Sequence, residues 1–152
     1  MNRPSIHMTM LEIALVLSRR STCVRRQVGC VITNFNNQII AAGYNGVASG
    51  TTHCTHTPCA GAAYGSGLGL DSCEAIHAEI NALIQCKDIA DACNIYCTTA
   101  PCISCTKALL STPVQHVWYL HDYPQAEHSA ALWIKSRVNR TFNDLQLEQK
   151  SI

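Results

Sequence analysis

The sequence has little charge and no long hydrophobic run. Charged residues make up 14% of the chain, and the formal net charge at pH 7 is +1. A near-neutral chain lacks the basic surface that attracts nucleic-acid backbones, so we expect no nucleic-acid partner. No apolar run approaches the roughly 20 residues that span a bilayer. Residues 1–10 also lack the charged and then apolar pattern of a signal peptide, so we expect no membrane partner and a cytoplasmic location.

Cysteine is the residue type that is present in excess. The chain has 152 residues, of which 47% are hydrophobic and ten are cysteine. This length and composition predict one globular domain, residues 1–152, that buries its own core. Ten cysteines indicate either a secreted disulfide framework or an intracellular chain that uses thiolates as metal ligands. Without a signal sequence, the second interpretation is favoured.

Hydrophobic periodicity predicts alternating helices and strands after an opening hairpin. The predicted helices are residues 9–19, 74–85, 101–110 and 129–137, and the predicted strands are residues 28–33, 38–42, 94–98, 116–120 and a short one near Thr141. Residues 43–72 are rich in Gly, Thr, His and Cys and have no clear period. So long an irregular segment usually has a function or binds a metal. The pattern as a whole indicates a layered α/β domain with a mixed sheet.

Two short motifs supply the residue types of a catalytic zinc site. His77 precedes Glu79 by two residues at one predicted helix start, and Pro101-Cys102 stands three residues before Cys105 at another. His77, Cys102 and Cys105 are ligands that Zn²⁺ prefers, and they leave a fourth tetrahedral position for water. Glu79 lies close to the metal without being needed as a ligand. A carboxylate there can take a proton from the activated water and pass it on.

Each motif alone is weak, because Cys-x-x-Cys also occurs in redox and structural sites. The combination H-x-E…P-C-x-x-C is specific for zinc deaminases of nucleobases. A structural zinc site usually has four protein ligands, and the sequence offers no obvious fourth beside these three.

Four blocks of the chain resemble the deoxycytidylate deaminase family of the zinc-dependent cytidine and deoxycytidylate deaminase superfamily. The blocks are residues 21–29 (STCVRRQVG), residues 43–46 (GYNG), residues 76–82 (IHAEINA) and residues 99–105 (TAPCISC). The resemblance extends over most of the chain. The last two blocks are shared with deaminases of free nucleosides, tRNA and guanine. The first two blocks are therefore the ones that resemble the deoxycytidylate deaminases in particular.

The resemblance implies a three-layer α-β-α fold with a central mixed sheet of about five strands. It also implies hydrolytic deamination of dCMP to dUMP and ammonia. In that case His77, Cys102 and Cys105 hold the catalytic zinc, and Glu79 moves protons between water, N3 of cytosine and the leaving ammonia. The expected substrate contacts are Asn45 with the sugar, Arg26 with the 5′-phosphate (Arg25 being the second choice) and Tyr123 near the base.

Regulation and assembly are further implications of the same resemblance. Family members are commonly hexamers that dCTP activates and dTTP inhibits. The implied effector site is Gly43, Tyr44, Asn45 and Gly46, and a triphosphate effector would carry Mg²⁺. We therefore expect a homo-oligomer, with a hexamer favoured.

Four more cysteines lie in or beside the irregular segment and form the expected ligand set of a second, structural zinc: Cys23, Cys54, Cys59 and Cys73. A closed zinc site would stabilise a segment that has little other structure. His53 and His56 are alternative ligands, and free thiols beside a loop are the competing interpretation. The remaining cysteines, which lie in apolar stretches, are expected to pack in the core: Cys30, Cys86, Cys93 and Cys97.

Three other functions compete with a nucleotide deaminase. A tRNA or DNA deaminase would share the metal motifs but should carry a basic surface, which a net charge of +1 argues against. A non-catalytic zinc module would have no need for Glu79. A secreted disulfide protein would leave the His77–Glu79 motif without a role.

Overall fold

The computed structural model describes residues 2–136 and 139–145. The helices are α1 (Ile6–Ser18), α2 (Ala78–Gln85), α3 (Ile103–Leu110) and α4 (Ala126–Ser136), and the strands are β1 (Gly29–Asn34), β2 (Ile39–Tyr44), β3 (Ala92–Thr99), β4 (His116–His121) and β5 (Thr141–Asp144). Short 3₁₀ turns at residues 60–63 and 70–72 are the regular elements between β2 and α2. Within the described residues, no helix is long and apolar enough to cross a membrane.

The strands form one mixed sheet in the order β2-β1-β3-β4-β5. The pairs β1–β2 and β1–β3 are antiparallel, whereas β3–β4 and β4–β5 are parallel. The β1–β2 hairpin turns at residues 34–38, where the side-chain oxygen of Asn34 accepts hydrogen bonds from the backbone of Asn36 and Gln38. Asn37 takes the left-handed conformation that asparagine tolerates well. The hairpin and the mixed sheet are confirmed.

Helices cover both faces of the sheet. On one face, Leu11 and Ala14 of α1 pack against Val31 and Tyr96. On the other face, side chains of α2, α3 and α4 pack against the alternate strand positions, in a cluster that includes Ala82, Leu109, Trp133, Ile32, Ile95 and Val117. Neighbouring strand residues point to opposite faces, so both sides of β1 and β3 are buried. The three-layer α-β-α fold is therefore confirmed.

Two helices begin later than the hydrophobic pattern predicts. The segment before α2 is extended because Ile76 exchanges backbone hydrogen bonds with Gly46, at 2.8 and 3.1 Å. His77 is consequently the residue that caps α2, which starts at Ala78 rather than Glu74. Pro101 likewise precedes α3, whose cap is Cys102. The fourth helix begins at Ala126, three residues before the predicted start, and Arg137 of the predicted range lies outside the described residues.

Gly29→Ala is expected to destabilise the fold by about 1–3 kcal/mol, because an added methyl group would overpack the contact between β1 and α1. A Cβ at Gly29 would meet the carbonyl oxygen of Ala14 and come within 2.8 Å of the Ser18 nitrogen. Chemical denaturation measures the free energy of unfolding. Gly65→Ala is the matched control, since its Cβ would have no heavy atom nearer than 3.8 Å. Equal stabilities of the two variants would contradict this packing.

Candidate metal site and substrate pocket

The two metal motifs meet at one edge of the sheet. Strand β3 ends at Thr99, and the chain turns through Pro101 into α3. The backbone N–H of Ala100 donates to the carbonyl of His121 at the end of the adjacent parallel strand, at 2.8 Å. Ligands of open α/β sheets bind outside the carboxyl ends of the parallel strands, where this turn lies.

His77, Cys102 and Cys105 form a compact set of three ligand atoms. His77 Nδ1 lies 3.2 Å from Cys105 Sγ and 3.5 Å from Cys102 Sγ. All three atoms are within 4.8 Å of one another, and both cysteines are buried. One imidazole nitrogen and two sulfurs fit zinc, and a tetrahedral ion held by three protein ligands keeps one position for water. The three residues could therefore hold a catalytic zinc.

The two thiols of this set differ in proton affinity. The thiol of Cys105 donates a hydrogen bond to Cys102, which lowers the pKa of Cys102 to about 4 and raises that of Cys105. A separate hydrogen bond between His77 and Cys102 raises the pKa of His77. A cysteine at a helix N-terminus is also stabilised as the thiolate. Cys102 therefore offers a ready thiolate for a metal ion.

Glu79 lies in the first turn of α2 and lines the pocket beside the metal ligands. Its side chain is only 4% exposed. Desolvation by this burial raises the pKa of Glu79, while the neighbouring His77 opposes the shift. A raised pKa suits a carboxyl group that must both accept and release a proton near neutral pH.

Two buried thiols lie behind Glu79. Cys30 and Cys97 are directly opposed on β1 and β3, and the Cys30 thiol donates to Cys97 at 3.1 Å. Their sulfurs lie within 4.8 Å of the Glu79 carboxylate. Both side chains are completely buried, which raises the pKa of each thiol. The strand register that joins this pair has no local sequence signal, so the sequence could not reveal that it forms the floor beneath Glu79.

A pocket that is open to solvent leads from the surface to this site, and its cavity volume is about 70 Å³. Arg26 and Tyr123 line it, and the Arg26 guanidinium lies 4.9 Å from the centre of the Tyr123 ring. Arg26 also donates to the hydroxyl of Ser66. Ser66 comes from the irregular segment and was not singled out by the sequence.

The adjacent arginines have different surroundings. Arg25 donates from Nη1 to the backbone carbonyls of Leu68, Gly65 and Tyr64, at 2.6, 3.1 and 3.5 Å. A hydrogen bond with Cys73 raises the pKa of Arg25. Arg25 is thus engaged with the loop, whereas Arg26 is the arginine beside Tyr123.

Asn45 lines the same pocket, and its side chain braces the segment that carries Arg26. Its Oδ1 accepts from the backbone N–H of Val28 at 2.8 Å, and its Nδ2 donates to the Arg26 carbonyl at 2.7 Å. An amide group has one further donor and one further acceptor position for a ligand.

The four residues of the expected effector site are divided between different surroundings. Tyr44 and Gly46 line a separate surface cleft together with Arg19, Arg20 and His53. Asn45 faces the substrate pocket. Gly43 packs against α2, because a Cβ there would lie 2.6 Å from Ala78 O and Ala82 N.

The four cysteines expected to bind a second zinc are not gathered into one compact set. Cys54 Sγ and Cys59 Sγ are 3.7 Å apart, whereas Cys23 and Cys73 line the substrate pocket. Among residues 2–136 and 139–145, two groups of three or more metal-ligating side chains have their ligand atoms within 4.8 Å of one another: His77, Cys102 and Cys105, and Cys30, Glu79 and Cys97. All ten cysteines are free thiols.

A three-layer α/β fold with a His-Cys-Cys set and a buried glutamate is the arrangement of the zinc-dependent nucleobase deaminases. Residues 4–121 match the family model described as the cytidine and deoxycytidylate deaminase zinc-binding region. The chain therefore belongs to the cytidine and deoxycytidylate deaminase family.

Within this family, the chain is similar to proteins that are named deoxycytidylate or dCMP deaminase. The deoxycytidylate deaminase of Mycobacterium phage D29 is 33% identical over 78% of this chain and 97% of its own length. The deoxycytidylate deaminase of Schizosaccharomyces pombe is 35% identical over 86% of this chain, which spans 41% of that relative. The crystal structure of dCMP deaminase from the cyanophage S-TIM5, in complex with dCMP and dUMP, has a TM-score of 0.69 and 25% identity, and it covers 95% of this chain and 99% of its own.

Proposed function

We propose that this chain catalyses the hydrolytic deamination of dCMP to dUMP and ammonia. The observation that carries the proposal is the placement of Glu79 beside the His77-Cys102-Cys105 set within the pocket that Arg26 lines. The relatives named deoxycytidylate deaminase and the cyanophage enzyme that binds dCMP and dUMP support the same substrate.

In the proposed mechanism Glu79 is the proton carrier. Zinc held by His77, Cys102 and Cys105 would supply Lewis-acid activation of a water molecule. The Glu79 carboxylate takes a proton from the attacking water and delivers it to N3 of cytosine as the C4–O bond forms. It then takes the proton of the new C4 hydroxyl and passes it to the amine as the C4–N bond breaks, so that water and dCMP become dUMP and ammonia.

The pocket orients the nucleotide in this proposal. The base lies at the metal end, beside Glu79, and the sugar lies beside Asn45. The 5′-phosphate meets Arg26, because a guanidinium gives a phosphate paired, charge-assisted hydrogen bonds. Arg25 serves the loop rather than the phosphate, since its Nη1 already donates to carbonyls. Tyr123 supplies the aromatic surface beside the base.

We further propose a second, structural zinc at Cys23, Cys54, Cys59 and Cys73. The Cys54–Cys59 separation of 3.7 Å supports it, since two sulfurs about 2.3 Å from a tetrahedral zinc are about 3.8 Å apart. The other two sulfurs would have to move toward this pair.

The remaining proposals concern the whole protein. They are a single domain over residues 1–152, a cytoplasmic homo-oligomer with a hexamer favoured, activation by dCTP with Mg²⁺ and inhibition by dTTP. The single sheet that joins elements from Ile6 to Asp144 supports the first of these. The separate cleft at Tyr44 and Gly46 supports an effector site.

A substrate panel tests the proposed function. The purified protein is supplied with dCMP, CMP, deoxycytidine, dCTP or a tRNA anticodon stem, each with and without dCTP as effector, and ammonia release is measured. We expect dCMP to have the highest kcat/KM. Preferential deamination of the tRNA stem would favour the nucleic-acid alternative, and no release from any substrate would contradict the proposal.

Arg26→Ala is expected to raise KM for dCMP about ten- to hundredfold, because a charge-assisted contact contributes about 1.5–3 kcal/mol. KM for deoxycytidine, which has no phosphate, should change far less. Arg3→Ala removes an exposed arginine outside the pocket and serves as the control. Equal effects of Arg26→Ala on the two substrates would refute the phosphate contact.

A further inference from the structure

A loop of the irregular segment, residues 64–70, forms one wall of the substrate pocket. Ser66, Gly67 and Leu70 line the pocket from this loop. Ser66 and Leu70 are exposed, so this wall lies at the mouth of the pocket rather than at its floor. A nucleotide whose base reaches Glu79 would bring its phosphate toward this end.

The loop is held by its own packing and by Arg25. Tyr64 lies over Gly69, whose left-handed backbone leaves no room for a Cβ against that ring. Gly67 packs against Tyr123, since a Cβ there would lie 3.3 Å from the tyrosine hydroxyl. Three loop carbonyls converge on Arg25 Nη1. Removing that guanidinium would leave the carbonyls without this donor, so the position of the loop depends on Arg25.

The hydroxyl of Ser66 accepts a hydrogen bond from Arg26 Nη2. This contact places one neutral O–H group and one guanidinium side by side at the mouth of the pocket. A phosphate group carries several acceptor oxygens, and both groups can donate to it. The hydroxyl hydrogen of Ser66 is not used in the contact with Arg26, because the serine oxygen is the acceptor there.

We propose that Ser66 is a second phosphate-binding residue and that Arg25 is a positioning residue that holds it beside Arg26. The inference rests on the proposed function, because it names the residues that would bind the 5′-phosphate of the proposed substrate. Adjacent arginines thus have separate tasks: Arg26 binds the anion, and Arg25 fixes the loop that supplies the hydroxyl. The pair Ser66 and Arg26 then discriminates a 5′-nucleotide from a nucleoside.

Binding of the product and its nucleoside tests the assignment without turnover. Calorimetry on the zinc-loaded protein measures Kd for dUMP and for deoxyuridine, and the ratio of the two Kd values reports the contribution of the phosphate. We expect Ser66→Ala to weaken dUMP binding about ten- to hundredfold, in keeping with one hydrogen bond to a charged group. Deoxyuridine binding should stay within about twofold, and Ser66→Thr, which keeps a hydroxyl, should retain most of the affinity for dUMP. Ser111→Ala is the control at an exposed serine outside the pocket.

The role of Arg25 is tested by a double-mutant cycle. Arg25→Ala alone should reduce the ratio of deoxyuridine Kd to dUMP Kd about as much as Ser66→Ala does. In the Ser66→Ala background it should reduce the ratio little further, because the hydroxyl that it positions is already absent. Additive effects would refute the positioning role, and a ratio unchanged by Ser66→Ala would refute the phosphate contact. Either result can occur in a protein that deaminates dCMP, so it is distinguishable from failure of the proposed function.

Discussion

Glu79→Gln is expected to keep zinc and to lose about a hundred- to ten-thousandfold in kcat for dCMP. Glutamine has nearly the same shape as glutamate, but its amide cannot accept and release a proton at neutral pH. Burial raises the pKa of Glu79. Among the described residues that line the pocket, Glu79 is the one with a carboxyl group. Steady-state ammonia release and metal analysis of the same preparation measure both expectations.

Glu12→Gln is the matched control for this variant, because Glu12 is exposed on α1, the helix on the opposite face of the sheet. It should retain the wild-type rate. A Glu79→Gln protein with near-normal turnover would show that another group moves the protons. Loss of zinc together with activity would instead make Glu79 part of the metal site.

Cys105→Ala is expected to abolish measurable turnover through loss of the catalytic zinc. Two protein ligands would remain, His77 and Cys102, and catalytic zinc sites usually have three. The thiol of Cys105 also lowers the pKa of Cys102, so its removal makes the remaining thiolate less available. Metal analysis should give about two zinc ions per chain in the wild type and about one in the variant, which keeps the proposed structural site.

Cys86→Ala is the matched cysteine control. Cys86 follows the last turn of α2 and lies outside both metal sets. The zinc content and turnover of the Cys86→Ala variant should equal those of the wild type. One zinc in the wild type would remove the second site from the account, and a Cys105→Ala variant with full activity would contradict the role of His77, Cys102 and Cys105.

Local patterns in the sequence predict the fold and the chemical centre well. The apolar, β-branched run over residues 28–33 and the asparagine-rich turn after it predict the hairpin, because both signals act between near neighbours. His77, Glu79 and the Cys102–Cys105 pair are recognised because fixed spacing at a helix start determines which side chains can reach one point. The structure places the ligand atoms of His77, Cys102 and Cys105 within 4.8 Å of one another, and Glu79 lines the same pocket.

Contacts between distant segments are what the sequence does not reveal. Arg25 and Arg26 are neighbours in the sequence, and their surroundings differ because the 64–70 loop, about 40 residues away, presents backbone carbonyls to Arg25 and the Ser66 hydroxyl to Arg26. The register of β1 on β3 decides that Cys30 meets Cys97. The bridge between Gly46 and Ile76, which are 30 residues apart, keeps the segment before α2 extended, so that the helix begins only at Ala78. Such pairings depend on the whole fold rather than on spacing.

The central claim is that one zinc ion is held by a histidine and two cysteines beside Glu79, with one coordination position left for water. Anomalous diffraction at the zinc edge from crystals of the purified protein tests it most directly. The account predicts an ion about 2.0–2.1 Å from the imidazole nitrogen of His77 and about 2.3 Å from the sulfurs of Cys102 and Cys105, without a fourth protein ligand. A fourth side chain on that ion, or an ion elsewhere and none here, would contradict it.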